Sequence, residues 1–181
     1  MASSSLLLHP VRLRIVQALL GHRTLTTAQI AEELGDVPAG TLYRHVGILS
    51  KAGVLEVASE RRVRGTVERS YVLQVEATRV APEDLAAMPK EDHANAFMAF
   101  VSGMLAGYDR YLASGTPDLV RDGVGYSMAV LWLNDEEFAD LASELQAAIL
   151  PRVANGPGSG RRRRMVSTVI MPDAGAATPA G

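Results

Sequence analysis

The spacing of apolar residues divides the chain into stretches of different period. In LLLHPVRLRIVQALLGH, Leu13, Val16 and Leu20 recur at helical spacing with Ile15 and Leu19 beside them. A helix is predicted there, with Pro10 suited to its first position and Gly21 to its stop. TLTTAQIAEELG keeps the period through Ala28, Ile30, Ala31 and Leu34, and Thr26 stands three residues before Gln29, the spacing of a capping box. After the short link GDVPAG comes GTLYRHVGILSKAGVLE, with Leu42, Val46 and Leu49 on one stripe. Opposite them stand Gly40, Tyr43, Arg44, Gly47 and Lys51. This third helix is expected from near Pro38 to Gly53, and the pair has the helix-turn-helix layout.

Beyond Gly53 the period becomes two. Leu55 and Val57 point one way, RRVRGT reads as a cation-rich turn, and Val67, Tyr71 and Leu73 share a face of a second strand. A helix-turn-helix followed by two strands and a basic turn predicts a winged helix.

The second half starts with a linker, VEATRVAPEDLAAMP, then a long amphipathic helix over 90–115. Phe97, Phe100, Met104 and Tyr111 fall on one stripe of that helix, and Val101, Leu105, Tyr108 and Leu112 on its neighbour. An arc that wide must be covered by more than one small domain, so it reads as the main dimer helix. VGYSMAVLWL is predicted as a strand apolar on both faces, interior to a sheet. NDEEFADLASELQAAILPRV is a helix with Asn134 as N-cap, acids at the positive dipole end, and Phe138, Leu141, Leu145 and Ile149 facing inward. RRRRMVSTVIMP passes from a basic loop into a strand. The fold class is therefore α+β: a winged helix-turn-helix domain over 1–75, a linker over 76–89, an α-β-α-β dimerisation and effector domain over 90–172, and a disordered tail over 173–181.

A length of 181 residues is enough for a core without staples. The absence of cysteine excludes disulfides, thiolate metal sites and thiol nucleophiles. No signal peptide and no run of membrane-spanning length is legible, so a cytoplasmic protein with no membrane partner is expected. The net charge of −2 is unevenly spread: nine Lys and Arg against six Asp and Glu leave residues 1–75 three positive and the rest five negative. Only the first half is expected to meet a polyanion.

That charge explains the unusual face of the third helix. A solvated face would be rich in Glu, Lys and Gln rather than Gly. A recognition helix needs a low outer face to enter the major groove, which is about 12 Å wide, and Arg44 suits bidentate pairing with guanine. Pro38, Ala39, Gly40, Thr41 and Tyr43 are the expected neighbours of bases and phosphates, Lys51 a phosphate contact, and Thr26 and Thr27 contacts from the second helix. Arg61, Arg62, Arg64, Gly65 and Thr66 form the expected wing contact.

Together HPVRLRIVQALL, LTTAQIAEELG, PAGTLYRHVGILSKAGVLEV and VRGTVERSYVL resemble winged-helix repressors of the ArsR type over residues 6–73. They are similar to that family's D/H-P-x-R-L-x-I-L opening and its R-H-L then L-x-x-A-G-L recognition helix, with Val16, Val46 and Val54 at leucine positions. The resemblance implies a dimeric bacterial transcription regulator, with Ala39, Gly40, Thr41, Tyr43 and Arg44 facing DNA and His45 packing inward. Two departures stand out. His9, His22, His45 and His93 are scattered and Cys is absent, so the metal-sensing ligands of the best-known members are missing. The long C-terminal half is extra.

With no metal or thiol input, a small apolar effector is the expected signal, no other cofactor being implied. Phe97, Phe100, Val101, Met104, Tyr108, Tyr126, Met128 and Trp132 are its candidate pocket, or else dimer and domain core. Arg161 to Arg164 read as a second phosphate grip or as a solvated loop paired with the acidic helix start. No nucleotide, hydrolase or metalloprotease motif occurs, so an enzyme is not expected. The expected function is a homodimeric repressor binding double-stranded DNA, the alternative a winged-helix module that binds protein.

Overall fold

The structure, a computed structural model, describes residues 4–63 and 65–173. The side chains of Ser4, Ser5 and Thr66 are also outside the description. The chain divides into two units at Tyr111/Leu112.

The first unit opens with α1 (Ser4–Leu7) and α2 (Pro10–Leu19). Pro10 takes the first helical position, and the His9 ring accepts the Val11 N–H as N-cap. The inward face of α2 is Ile15, Val16, Ala18 and Leu19, whereas Leu20 is exposed. The expected stripe through Leu13, Val16 and Leu20 is thus rotated by one position, because the helix stops at Leu19 and Leu20 has already left it.

A short strand, β1 (Leu25–Thr26), runs into α3 (Thr27–Glu33). The capping box forms as expected: Gln29 N–H donates to Thr26 Oγ1, and Thr26 N–H donates to Gln29 Oε1. After the turn comes α4 (Ala39–Lys51). It ends in a Schellman motif, Val54 N–H donating to Leu49 C=O and Gly53 N–H to Ser50 C=O. That closure needs the left-handed conformation of Gly53, φ 72°.

β2 (Leu55–Val63) and β3 (Thr66–Leu73) form a hairpin, with a register shift between Val57 and Ser59. β1 pairs antiparallel with β3, giving the order β1-β3-β2. Two-residue β1 carries too little pattern to be read from sequence. The hairpin strands run longer than the alternation suggested, so Arg61 and Arg62 lie on β2 rather than in the turn. Leu7, Ile15, Leu19, Ile30, Leu42, Leu49, Leu55 and Tyr71 anchor one core beneath the three helices and the sheet.

Two ion pairs brace this unit. Arg14 donates both guanidinium nitrogens to Asp36, at 2.8 and 2.6 Å, tying α2 to the turn before α4. Arg23 pairs with Glu33 of α3 and donates to Ala18 C=O at 2.7 Å.

A 3₁₀ turn (Val75–Thr78) and α5 (Pro82–Ala86) lead to α6 (Lys90–Ala113). The segment expected to separate two domains instead carries the chain back, and α6 through Tyr111 belongs to the first unit. The face that α6 buries is its small one: Ala96 and Ala99 are buried. At Gly103 a Cβ would sit 1.9 Å from Gln17 Oε1, so glycine is what lets α6 approach α2. Gln17 Nε2 donates to Phe100 C=O at 3.4 Å across the same contact. Phe97, Met98, Met104 and Leu105 face outward.

In the second unit α7 (Asp135–Val153) starts on the expected cap, Asn134 Oδ1 accepting from Glu137 N–H in a second capping box. Leu141, Leu145 and Ile149 are half-buried, but Phe138 is exposed. The α-β-α-β expectation is not met. Residues 124–134 and 161–173 form no strand, because no sheet partner lies beside them among the described residues. Residues 174–181 of the expected tail lie outside the described residues.

Candidate nucleic-acid interface

The α4 helix sorts its side chains by face. Leu42, Val46 and Leu49 are buried in the core, and His45, 3% exposed, joins them. Ala39, Gly40, Arg44 and Lys51 are exposed, Tyr43 is 58% exposed, and Thr41 and Gly47 are half-buried. A Cβ added to Gly40 or Gly47 would meet nothing within 4 Å. The chain's own packing therefore does not require either glycine. At the helix start, Pro38 supplies no side-chain cap and the first turn holds no acid. Its leading N–H groups and dipole are left for an anion.

Beneath this face lies a cluster that the pattern of hydrophobicity did not show. The rings of His9 and His45 lie with centroids 4.5 Å apart and planes tilted by 38°, one capping α2 and the other on the inner side of α4. Arg44 Nη2 lies 3.3 Å from His45 Nε2. A guanidinium only donates, so Nε2 accepts and the neutral ring carries its proton on Nδ1. That Nδ1 is buried and has no hydrogen-bond partner among the described residues. Burial lowers the pKa of both rings below the ordinary 6.5; Arg12 and Arg44 add to this at His9, and His9, Arg44 and Arg12 at His45. Both imidazoles are thus held neutral under the recognition face. The only signal for His9 in the sequence was its place before Pro10.

On the wing, Arg61 is exposed and lies 3.4 Å from Glu68, and Arg69 donates to Glu60 at 2.7 Å. These are cross-strand neighbours, in the register Arg61↔Glu68 and Glu60↔Arg69. Arg62, opposite Val67, is exposed and has no ion pair among the described residues. Gly65 takes φ 85° in the turn. Arg64 and the side chain of Thr66 are outside the described residues.

One expected contact from the second helix is corrected: Thr27 is only 7% exposed and belongs to the interior. Thr26 is half-buried, and its hydroxyl oxygen accepts from Gln29 N–H in the capping box. Lys51 sits in the last turn of α4, where it also complements the negative end of the helix dipole.

The eight effector candidates are not enclosed. On α6, Phe97 and Met104 are exposed while Phe100, Val101 and Tyr108 are half-buried. Tyr126, Met128 and Trp132 are 90%, 96% and 69% exposed. A depression of about 420 Å³ on the first unit is lined by Arg23, Leu25, Gln29, Glu32, Glu33 and Arg110, none of them among the eight. Within the arginine run, Arg162 Nη1 lies 3.4 Å from the Asp122 carboxylate, and Arg164 donates to the Asp122 carbonyl.

Residues 7–58 match the family described as a helix-turn-helix domain, a span that takes in α2, α3, α4 and the start of β2. No curated protein matches the chain. The N-terminal region is thus a helix-turn-helix domain within a fold of mixed helix and sheet, the type of domain found in DNA-binding transcription regulators. No described helix is long and apolar enough to cross a membrane.

Proposed function

We propose that this protein is a sequence-specific DNA-binding transcription regulator that acts as a homodimeric repressor of the ArsR type. It works by binding rather than catalysis, in the bacterial cytoplasm. The observation that carries the reading is the outer face of α4: an exposed Arg44 and Tyr43 beside two glycines whose Cβ positions are empty. Such a face has no use inside the chain and fits close approach of a groove. Arg44 reads a base edge, and the open N-terminal N–H groups of α4, Lys51, Arg61 and Arg62 hold phosphates.

Two copies would place two α4 helices in successive major grooves about 34–36 Å apart on a pseudo-palindromic operator. A small apolar ligand at the region after α5 would release the operator by favouring a different dimer geometry. The exposure of all three candidates in 124–134 favours a dimer surface over a finished pocket for that part.

The test is selection of bound duplexes from a random pool, followed by footprinting. Two inverted half-sites one turn apart are expected. A protein that enriches no sequence would instead be a winged-helix module for protein partners.

A further inference from the structure

Among the described residues, none after Ala99 is buried. The second unit therefore lacks a core of its own, although it is far from polar. VGYSMAVLWL (124–133) and MVSTVIM (165–171) contain no charged residue. Residues 125–130 alternate small and large side chains, and Val166, Thr168, Val169 and Ile170 make the second segment β-branched, both in the manner of strands. Yet no backbone N–H or C=O of 125–133 or 165–171 bonds to another backbone group among the described residues.

The exposed apolar area is large enough to decide what this region needs. Eleven large apolar side chains in the two segments are between 41% and 96% exposed. At about 100–200 Å² for each when fully open, they present on the order of 1,000 Å². A monomer seldom leaves more than about 300–600 Å² of contiguous apolar surface open, whereas one side of a standard interface buries about 800 Å². The area is that of an interface.

Its chemistry selects the occupant. The surface offers unpaired backbone edges and no charge, so a partner must bring an uncharged strand edge of its own. The same segment in a second copy does so. About a two-fold axis a strand meets its copy antiparallel, and every contact is made twice. The arginine run serves this arrangement. Asp122 accepts from Arg162 at 3.4 Å, and its carbonyl accepts from Arg164. Both segments are thereby pinned at one end to the same point.

We propose that residues 124–133 pair antiparallel with the same residues of a second copy, with 165–171 packed beside them, so that these strands exist only in the dimer. This rests on the homodimeric reading above and names its contact surface.

Trp132 is the sole tryptophan and lies inside the segment, so its fluorescence reports the contact directly. The experiment follows sedimentation mass and acrylamide quenching of the full chain over a dilution series. The expected result is twice the 19.3 kDa chain mass with Trp132 shielded, both lost together on dilution. Val130→Pro and, separately, Met128→Glu should each move that transition to at least about tenfold higher concentration while helical circular dichroism is kept. A dimer with freely quenched Trp132 overturns this surface but leaves the dimeric regulator standing. A monomer at every concentration overturns both, whether or not Trp132 is shielded.

Discussion

Arg44 and Gly47 separate recognition from folding. Arg44→Ala removes an exposed side chain whose guanidinium lies 3.3 Å from His45 Nε2 and near the cationic Arg12. Stability should hardly change, while operator affinity falls by roughly 1–3 kcal/mol and preference relaxes at one base pair. Equal loss on all duplexes, read by fluorescence anisotropy, would make it a phosphate contact. Gly47→Ala is the sharper case. The added methyl meets nothing in the chain, and a helix interior gains about 0.5–1 kcal/mol on losing a glycine. Higher thermal stability with weaker DNA binding is expected. Stability and affinity rising together would mean that nothing approaches that face. The odd composition of this face was legible in the sequence, because glycine in mid-helix is costly and asks for a reason. The histidine pair was not, since His9 and His45 are brought together only by the packing of α2 on α4.

That pair also sets a pH dependence. The folded pKa of each ring lies below the ordinary 6.5, so below that value the unfolded chain takes up protons that the folded chain refuses. Stability from the neutral rings is complete above 6.5 and is lost as pH falls below it towards the folded values. Asp36, whose pKa is lowered by the hydrogen bond from Arg14, loses its contribution only at more acid pH. Urea midpoints between about pH 7 and pH 5 should therefore fall for the wild type. In His9→Gln/His45→Leu that part of the slope should disappear. An unchanged slope would place the titration elsewhere.

At the scale of elements, local signals were reliable and shared ones were not. The Thr26–Gln29 capping box and the Asn134 N-cap are each local to a few residues, and each formed where the sequence put it; Glu137 completes a second capping box at Asn134. The limits of α4 likewise follow from Pro38 and Gly53. The α6 helix shows why apolar stripes mislead: its large residues suggested the buried side, yet Ala96, Ala99 and Gly103 make the closest approach to the core. Gly103→Val should overpack that crossing and cost about 1–3 kcal/mol. Adding Gln17→Ala should restore much of it by clearing the atoms in the way. No rescue in chemical denaturation would mean that α6 does not rest on α2 through this contact. The expected strands over 124–133 and 165–171 fail for a different reason. Strand pattern states that a partner is needed and does not state whose chain supplies it.

Over the whole molecule, charge and apolar surface are divided between the two halves. The first half is net positive, and several of its cations are already committed: Arg14 to Asp36, Arg23 to Glu33, and Arg69 to Glu60. Arg44, Lys51 and Arg62 remain exposed on the helix and wing. The second half carries the net negative charge and the open apolar segments, which suit association between copies rather than contact with nucleic acid. The most direct test is duplex binding by the full chain, titrated against salt, using DNA from upstream of its own coding sequence and a scrambled duplex. A specific DNA regulator should prefer its own duplex and lose roughly a thousandfold or more in affinity between about 50 and 200 mM salt. Binding that is weak on both duplexes and indifferent to salt would contradict the account and leave the exposed face of α4 to a protein partner.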